Sequence, residues 1–226
     1  MQDIEIKKEE QDFRTEEAYK TLRTNIEFSG EELKAVCVTS CIPGEGKSSV
    51  SFGLARSFAQ NGRKTLLVDA DLRKSAMRSR HKRGKVRYGL TNHLAGKAAF
   101  SEALCATDIQ NLYLIFAGPV PPNPSELLGS GKFRRMMEEA RKVFDMVVVD
   151  TPPLGSVIDA AVVSRCCDGA LFVVQCGAVS YRLARRVKEQ LSAAGCRSLG
   201  CVLNRASLSG REYGYYGGYY GSYDGS

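Results

Sequence analysis

The segment AVCVTSCIPGEGKSSVSFGLARSFA, residues 35–59, decides the fold. It starts with an apolar run of strand length, continues through a loop that contains Gly44 and Gly46, and ends in a helical pattern. Glycines allow such a loop to turn tightly, so that its backbone N–H groups point inward. The N-terminus of the following helix adds further N–H groups and partial positive charge. This order of strand, loop and helix predicts a phosphate-binding loop.

The loop contains the residue types that bind a nucleoside triphosphate together with magnesium. Lys47 is predicted to reach the β- and γ-phosphates, and the Ser48 hydroxyl to ligate Mg²⁺. The Walker A pattern normally opens with Gly five residues before Gly46, and Cys41 occupies that position, so the motif is a deviant Walker A. A chance glycine-rich turn is the alternative, and the strand–loop–helix context disfavours it. The predicted nucleotide-binding residues here are Pro43, Gly44, Glu45, Gly46, Lys47, Ser48 and Ser49.

Two further apolar runs end in aspartate. TLLVDADLRK, residues 65–74, contains Asp69, Asp71 and Arg73, and FDMVVVDTPPLG, residues 144–155, contains Asp150. A single aspartate at such a position is often a turn or a helix cap. The carboxyl ends of parallel strands meet at one sheet edge, however, beside a phosphate loop. The set therefore favours nucleotide hydrolysis or phosphoryl transfer, with Mg²⁺ held by Ser48, Asp71 and Asp150.

Short apolar runs alternate with longer helical patterns along the middle of the chain. This alternation predicts an α/β fold with a mostly parallel sheet and helices on both faces, which together with the phosphate loop indicates a P-loop NTPase. The deviant Walker A resembles that of the partitioning ATPases, and this resemblance implies a similar architecture. By composition the chain divides into a polar N-terminal segment with a helix (1–30), a P-loop domain (31–205) and a flexible tyrosine-rich tail (206–226). The predicted strands are 35–39, 65–68, 112–116, 146–149, 170–175 and 199–203, and the main helices 48–61, 132–143, 159–166 and 181–194.

Composition narrows the class of protein. No apolar run approaches the roughly 18 residues that a membrane-spanning helix needs, and the N-terminus is too polar for a signal peptide. We expect a cytoplasmic protein. The eight cysteines include no CxxC pair, which predicts reduced thiols that pack as small hydrophobes. The basic stretch 73–87 has eight Lys or Arg residues and no acid, so it is either a surface for an anionic partner or a solvated loop.

The ordered motifs resemble those of the bacterial tyrosine kinases that accompany capsule and exopolysaccharide synthesis. PGEGKS at 43–48, DADLR at 69–73 and DTPP at 150–153 are similar to the family's three nucleotide motifs. GLTNHLAG at 89–96 and GPVPPNPSELLGS at 118–130 look like its connecting segments. The resemblance extends to a C-terminal tyrosine cluster: Tyr213, Tyr215, Tyr216, Tyr219, Tyr220 and Tyr223.

The resemblance implies a protein-tyrosine kinase that uses ATP and Mg²⁺. It would phosphorylate its own tyrosine cluster, in trans between subunits, and regulate polysaccharide synthesis and export. Asp69 is expected to orient or deprotonate the tyrosine hydroxyl, while Lys47 and Arg73 balance charge on the transferred phosphoryl group. The implied catalytic set is Lys47, Asp69, Asp71, Arg73 and Asp150, and Asn204 and Arg205 are expected beside the adenine.

The resemblance also implies partners. These are a transmembrane chain-length protein whose cytoplasmic tail activates the kinase, cytoplasmic protein substrates, and copies of the chain that form a ring when unphosphorylated. No nucleic acid is expected, and membrane contact at the inner face of the plasma membrane would be indirect. The family's ExxRxxR assembly motif is present as Glu17, Lys20 and Arg23, and Lys20 keeps the charge of Arg without its bidentate geometry. Ser75 stands where relatives usually have Pro.

Two alternatives remain open at the level of sequence. Partitioning or division-site ATPases share the fold but carry a second loop lysine, KGGxGK, and Ile42 occupies that position here. A non-catalytic nucleotide-binding scaffold is disfavoured by the intact lysine, serine and aspartates. The tail has its own alternative, since Gly/Tyr-rich ends can be adhesive low-complexity tracts without phosphorylation.

Overall fold

The computed structural model describes residues 1–7, 12–30, 32–78 and 86–206. Its sheet has the strand order β1-β4-β5-β3-β6-β2-β7-β8. The β4–β5 pair is antiparallel, and the other neighbouring pairs are parallel. The strands are β1 (Gln2–Ile4), β2 (Ala35–Ser40), β3 (Thr65–Asp69), β4 (Cys105–Thr107), β5 (Leu112–Ile115), β6 (Met146–Asp150), β7 (Gly169–Gln175) and β8 (Ser198–Asn204).

Helices cover both faces of this sheet. One face packs against α1 and α2, and the other against α6, α7 and α8. The helices of the described chain are α1 (Phe13–Phe28), α2 (Lys47–Gln60), α3 (Leu90–Leu94), α4 (Phe100–Ala103), α5 (Pro124–Leu128), α6 (Gly131–Val143), α7 (Asp159–Ser164) and α8 (Tyr181–Ala193). The predicted α/β architecture is confirmed.

The central strands explain why their sequences are almost continuously apolar. All residues of β2, β3 and β6 are buried, because helices cover the sheet above and below them. The alternating side chains of one strand therefore enter two different cores. Val36 and Val38 face α2, whereas Cys37 faces the core beneath α7. Burial on both faces fixes the strand ends, and with them the polar residues that follow.

The first residues of the chain belong to the same sheet. The sequence does not predict β1, which pairs with β4 at one edge of the sheet. Ile4 and Ile6 are buried there, in the same core as Ile26 of α1. Helix α1 also packs closely on α2, where a Cβ added at Gly53 would meet the Tyr19 ring. The N-terminal segment therefore contributes a strand and core residues to the P-loop fold.

The remaining sequence expectations concern membrane-spanning helices, the cysteines, the tail tyrosines and the basic stretch. Within the described ranges, no helix has the length and apolarity needed to cross a bilayer. All eight cysteines are free thiols; Cys176 and Cys201 are exposed, and Cys37, Cys41, Cys105 and Cys196 are buried. The six tail tyrosines lie outside the described residues, as do 79–85 of the basic stretch.

Candidate active site

The phosphate loop joins the end of β2 to the start of α2. Gly44 and Gly46 have φ angles of +89° and +87°, in the left-handed region that L side chains rarely adopt. A Cβ on Gly46 would also overlap Asn204 Nδ2. Gly46 is the N-cap of α2 and has no side chain that could cap the helix, so the first N–H groups of α2 remain available to an anion.

Glu45 braces this loop from the inside. Its buried carboxylate accepts hydrogen bonds from the Ile42 N–H at 2.8 Å and from the Gln175 N–H, at the end of β7, at 3.1 Å. Asn204, at the end of β8, donates from Nδ2 to the Glu45 carbonyl oxygen at 2.8 Å. The loop is thus fastened to the ends of two neighbouring strands before any nucleotide arrives.

Lys47 lies among the three predicted aspartates. Its Nζ is 3.1 Å from Asp71 Oδ2 and 3.9 Å from Asp150 Oδ2, and it donates to Ser48 Oγ at 3.3 Å. Asp69 and Asp150 end adjacent strands in direct register, which brings their carboxylates together. The structure therefore brings together the lysine, serine and aspartates that the sequence predicts as one set.

Burial perturbs the protonation of this cluster. Desolvation, followed by the charge of Asp150, raises the pKa of Asp69 from 3.8 to about 7. Desolvation also raises the pKa of Asp150 above its ordinary value. Burial alone would lower the pKa of Lys47, but the carboxylates of Asp150 and Asp71 outweigh that effect and raise it. One lysine thus faces three buried carboxylates, an excess of negative charge that a divalent cation would relieve.

The donor set fits magnesium. Mg²⁺ prefers oxygen ligands and is usually held by one or two carboxylates together with substrate phosphates and water. Ser48, Asp71 and Asp150 supply a hydroxyl and two carboxylates beside the loop. No three His, Cys, Asp or Glu side chains in the described ranges form a metal-holding group. Magnesium binding here would therefore depend on phosphate oxygens as well as on the protein.

A cavity of about 710 Å³ opens over the loop, within the range usual for ligand sites. One wall is the loop itself and a second is residues 73–76. The third wall contains the two prolines of the DTPP motif together with Ser156 and Val157. The predicted catalytic and nucleotide-binding residues absent from this lining are Glu45, Ser49, Asp69, Asp150 and Asn204. The lining residues are Pro43, Gly44, Gly46, Lys47, Ser48, Asp71, Arg73, Lys74, Ser75, Ala76, Pro152, Pro153, Ser156, Val157 and Arg205.

Asp69 is separated from the cavity by other groups. Asp69 is 1% exposed, and its carboxylate accepts hydrogen bonds from Ser75 Oγ and from the N–H groups of Asp71 and Ala117. Ser75 lies in the cavity wall, so a tyrosine hydroxyl that entered would meet Ser75 or Asp71 before Asp69. The assignment of Asp69 to the tyrosine hydroxyl stays a prediction.

Arg73 reaches the cavity while bound to residues that the sequence did not single out. Its Nε and Nη2 donate to the two carboxylate oxygens of Asp159 at 2.7 and 3.1 Å, and Nη2 also donates to Ser125 Oγ at 3.0 Å. The hydrogen bond to Asp159 raises the pKa of Arg73. Asp159 is the first residue of the predicted helix 159–166. The only feature of the sequence that could have singled it out is that an acidic residue is favourable in the first turn of a helix.

The two residues predicted to contact adenine are in different environments. Arg205 has a φ of +55°, lines the cavity and donates from Nη1 to Gln175 Oε1 at 2.7 Å. Asn204 is engaged by the phosphate loop through Glu45 and is not a lining residue. The adenine assignment stays a prediction for both.

The predicted assembly motif lies along α1. Glu17 and Lys20 form an ion pair at 2.6 Å on the helix surface. Arg23 instead points toward α2, where its Nη1 donates to the Ser57 carbonyl oxygen at 3.1 Å. Of the three residues, Glu17 and Lys20 are thus the more accessible to another copy of the chain.

Comparison with known proteins identifies the family of this site. Residues 33–192 match the AAA domain family. Tyrosine-protein kinase CpsD of Streptococcus pneumoniae is 44% identical over 219 residues, which cover 96% of each protein. The chain belongs to the bacterial tyrosine-kinase family. The solved structure of the kinase domain of Escherichia coli ETK, from the same family, is 34% identical to this chain, with a TM-score of 0.77. The match covers 88% of this chain and 80% of that one.

A second solved structure also matches this chain over most of its length. The chimerical protein CapA2B2 is 31% identical with a TM-score of 0.79, covering 87% of this chain and 92% of that chain. The septum site-determining protein MinD of Pyrococcus horikoshii, complexed with Mg-ADP, is 24% identical to this chain, with a TM-score of 0.65. The match covers 78% of this chain and 72% of that one and shows a shared fold alone. The tyrosine-kinase family fixes the enzyme class as protein-tyrosine kinase.

Proposed function

We propose that this chain transfers the γ-phosphoryl group of ATP to tyrosines of its own C-terminal cluster, in trans between subunits, and so regulates capsule or exopolysaccharide synthesis and export. The observation that carries the proposal is Lys47 paired with Asp71 in the lining of the cavity, beside the free N-terminus of α2. This is a site for a nucleoside triphosphate, in a chain whose relatives are tyrosine kinases.

The loop holds the nucleotide in this proposal. Backbone N–H groups of residues 44–48 surround the β-phosphate, and Lys47 contacts the β- and γ-phosphates. Glu45 needs no contact with the ligand, because its two hydrogen bonds keep the loop in shape. Ser48, Asp71 and Asp150 would hold Mg²⁺, which neutralises charge on the phosphate oxygens when bound.

The acceptor tyrosine approaches between the walls formed by residues 73–76 and the DTPP motif. Its hydroxyl oxygen forms the new bond to the γ-phosphorus while the bond from that phosphorus to the β–γ bridging oxygen breaks, so ADP leaves. The phenolic proton passes through Ser75 Oγ to Asp69, the carboxylate to which Ser75 donates its hydrogen bond. Because tyrosine has a pKa near 10 in water, the hydroxyl needs orientation and electrostatic help. Ser75 Oγ, held by Asp69, orients the hydroxyl, and Lys47 and Arg73 stabilise charge on the transferred group.

Partners complete the proposed function. A transmembrane chain-length protein with a cytoplasmic tail would activate the kinase and hold it at the inner face of the plasma membrane. Unphosphorylated copies would assemble into a ring through Glu17, Lys20 and Arg23, and the accessible Glu17–Lys20 pair on α1 supports this contact. The ring would bring the tail of one copy to the cavity of the next. Further cytoplasmic proteins would be external substrates.

A single-turnover experiment separates the kinase from its two rivals. The full-length chain, isolated from cells that produce it naturally and therefore with its activator, is mixed with less than one equivalent of Mg-ATP labelled at the γ-phosphate. A kinase places the label on tyrosine. A division-site-type ATPase releases it as inorganic phosphate, and a scaffold leaves the ATP intact. Either of the last two results rejects the proposal.

A further inference from the structure

Asp159 is a completely buried carboxylate without a role in the nucleotide motifs. It is the first residue of α7, its side chain is 0% exposed, and both of its oxygens accept hydrogen bonds from Arg73. Ser125, at α5, donates to Asp159 Oδ1 and accepts from Arg73 Nη2, which closes a three-residue network. A carboxylate so far from water is stable only when it is paired and hydrogen-bonded in this way.

The network holds the arginine by one side. The bonds to Asp159 and Ser125 use Nε and Nη2, whereas Nη1 has no hydrogen-bond partner among the described residues. The Arg73 side chain remains 39% exposed and lines the same cavity as Lys47 and Ser48. An arginine used only to neutralise Asp159 would not need to line that cavity.

We infer that Asp159, assisted by Ser125, is a positioning residue that fixes the Arg73 guanidinium so that its remaining N–H groups contact the transferred phosphoryl group. The inference rests on the proposed role of Arg73 in phosphoryl transfer. A free arginine loses side-chain rotamer entropy when it engages a phosphate. The pair with Asp159 imposes that order in advance, so the fixed charge meets the transition state without reorganisation.

Nucleotide binding provides a test that does not depend on the activator. In the full-length chain with Mg²⁺, calorimetry compares ADP with an ATP analogue that carries an imido link between the β- and γ-phosphates. Asp159→Asn, which keeps the side-chain size but removes the charge, should weaken the analogue about tenfold and ADP less than twofold. Ser125→Ala, a milder change, should shift the same ratio in the same direction.

Two further variants separate positioning from simple bracing. In an Arg73→Met background, Asp159→Asn should change the analogue-to-ADP ratio no further, because the group it acts through is gone. Asp168→Asn removes the carboxylate of a second Asp–Arg pair, with Arg141 at 2.9 Å, and should leave the ratio at the wild-type value. Thermal unfolding of each variant reports its folded state.

The outcomes are distinct. Equal weakening of ADP and the analogue, or no change in either, shows that Asp159 is only a brace and overturns the inference. If Asp159→Asn does not fold, Ser125→Ala decides by the same ratio. If the wild-type chain transfers phosphate to water instead of tyrosine, the proposed function fails, while the nucleotide comparison still decides whether Asp159 acts through Arg73 on the terminal phosphate.

Discussion

Lys47 Nζ lies 3.1 Å from Asp71 Oδ2, so the lysine that the loop offers to a nucleotide is already paired with a carboxylate of the next motif. Because this pair is buried beside Asp69 and Asp150, the lysine is held at the phosphate position and the three carboxylates share its charge. Nucleotide binding then redistributes charge within a cluster that already exists.

Replacing Lys47 should abolish the chemistry. We expect Lys47→Met to reduce tail phosphotyrosine at least about 100-fold at saturating Mg-ATP, because the charge that stabilises the β- and γ-phosphates is removed. Lys64→Met is the matched control. Lys64 precedes β3 at the opposite sheet edge, over the rings of Tyr113 and Phe144, and its replacement should leave phosphorylation within twofold. Wild-type phosphotyrosine in Lys47→Met would reject the assigned site.

The buried Asp69 predicts an unusual pH dependence of stability. Its pKa is about 7 in the fold and ordinarily 3.8, so between these values the native state binds more protons than the unfolded state. The free energy of unfolding that Asp69 contributes is therefore present below about pH 4 and is lost as pH rises to about 7. Asp69→Asn removes this loss and should raise Tm at pH 8 by roughly 3 °C or more.

The pH comparison uses the chain without magnesium or nucleotide, in a chelating buffer. Thermal unfolding of wild type and Asp69→Asn is followed by circular dichroism at pH 5 and pH 8. The Tm of Asp69→Asn should exceed that of wild type by more at pH 8 than at pH 5. If this difference in Tm stays constant or decreases from pH 5 to pH 8, the raised pKa of Asp69 is contradicted.

The hydrogen bonds that Glu45 accepts inside the phosphate loop predict that replacing Glu45 weakens nucleotide binding, although Glu45 itself does not contact the nucleotide. Glu45→Gln leaves one side-chain oxygen for two N–H donors, those of Ile42 and Gln175, so one donor stays unsatisfied and the loop loosens. We expect Mg-ADP to bind about tenfold more weakly by calorimetry. Glu102→Gln, which changes a carboxylate that accepts from the Ala99 N–H at the start of α4, should bind normally. Unchanged affinity in Glu45→Gln would show that the brace is dispensable.

The tail should control assembly. Each phosphotyrosine adds about −1.5 to −2 charges, so several of them repel one another and the carboxylates of the cavity. We expect unphosphorylated chains to associate and phosphorylated chains to be monomeric. Replacing the six cluster tyrosines with Phe should retain the associated state, and replacing them with Glu should favour the monomer. Light scattering with Mg-nucleotide measures both, and equal masses would exclude tail control.

Much of this site follows from the sequence because each motif ends a buried strand. Once β3 and β6 are predicted as neighbours of a phosphate loop, Asp69 and Asp150 must meet at the sheet edge, and the structure pairs them in register. All six predicted strands appear, and β2, β3 and β6 are apolar throughout because helices bury them on both faces. The predicted strand 199–203 lies in β8 at the sheet edge, where no residue is buried. The short elements β1, β4 and α3 to α5 have too few residues to show a periodic pattern.

The contacts that join motifs could not be predicted. Arg73 and Asp159 are 86 residues apart, and nothing local to either specifies the pair. The bond from Asn204 to Glu45 spans 159 residues. Ser75 and Ala117 also enclose the Asp69 carboxylate beneath the cavity wall, and the strand-end position of Asp69 does not specify these contacts. Such contacts depend on loop conformations, which the spacing of apolar residues does not encode.

Phosphoryl transfer between two chains tests the central claim most directly. A full-length Lys47→Met chain with an intact tail is mixed with a catalytically intact chain whose six cluster tyrosines are Phe, both from cells that contain the activator, and Mg-ATP is added. Mass spectrometry then locates phosphate. The account predicts phosphotyrosine on the tail of the Lys47→Met chain, within residues 213–223, and none on that chain alone. ATP consumption by the mixture with only inorganic phosphate as product would contradict it.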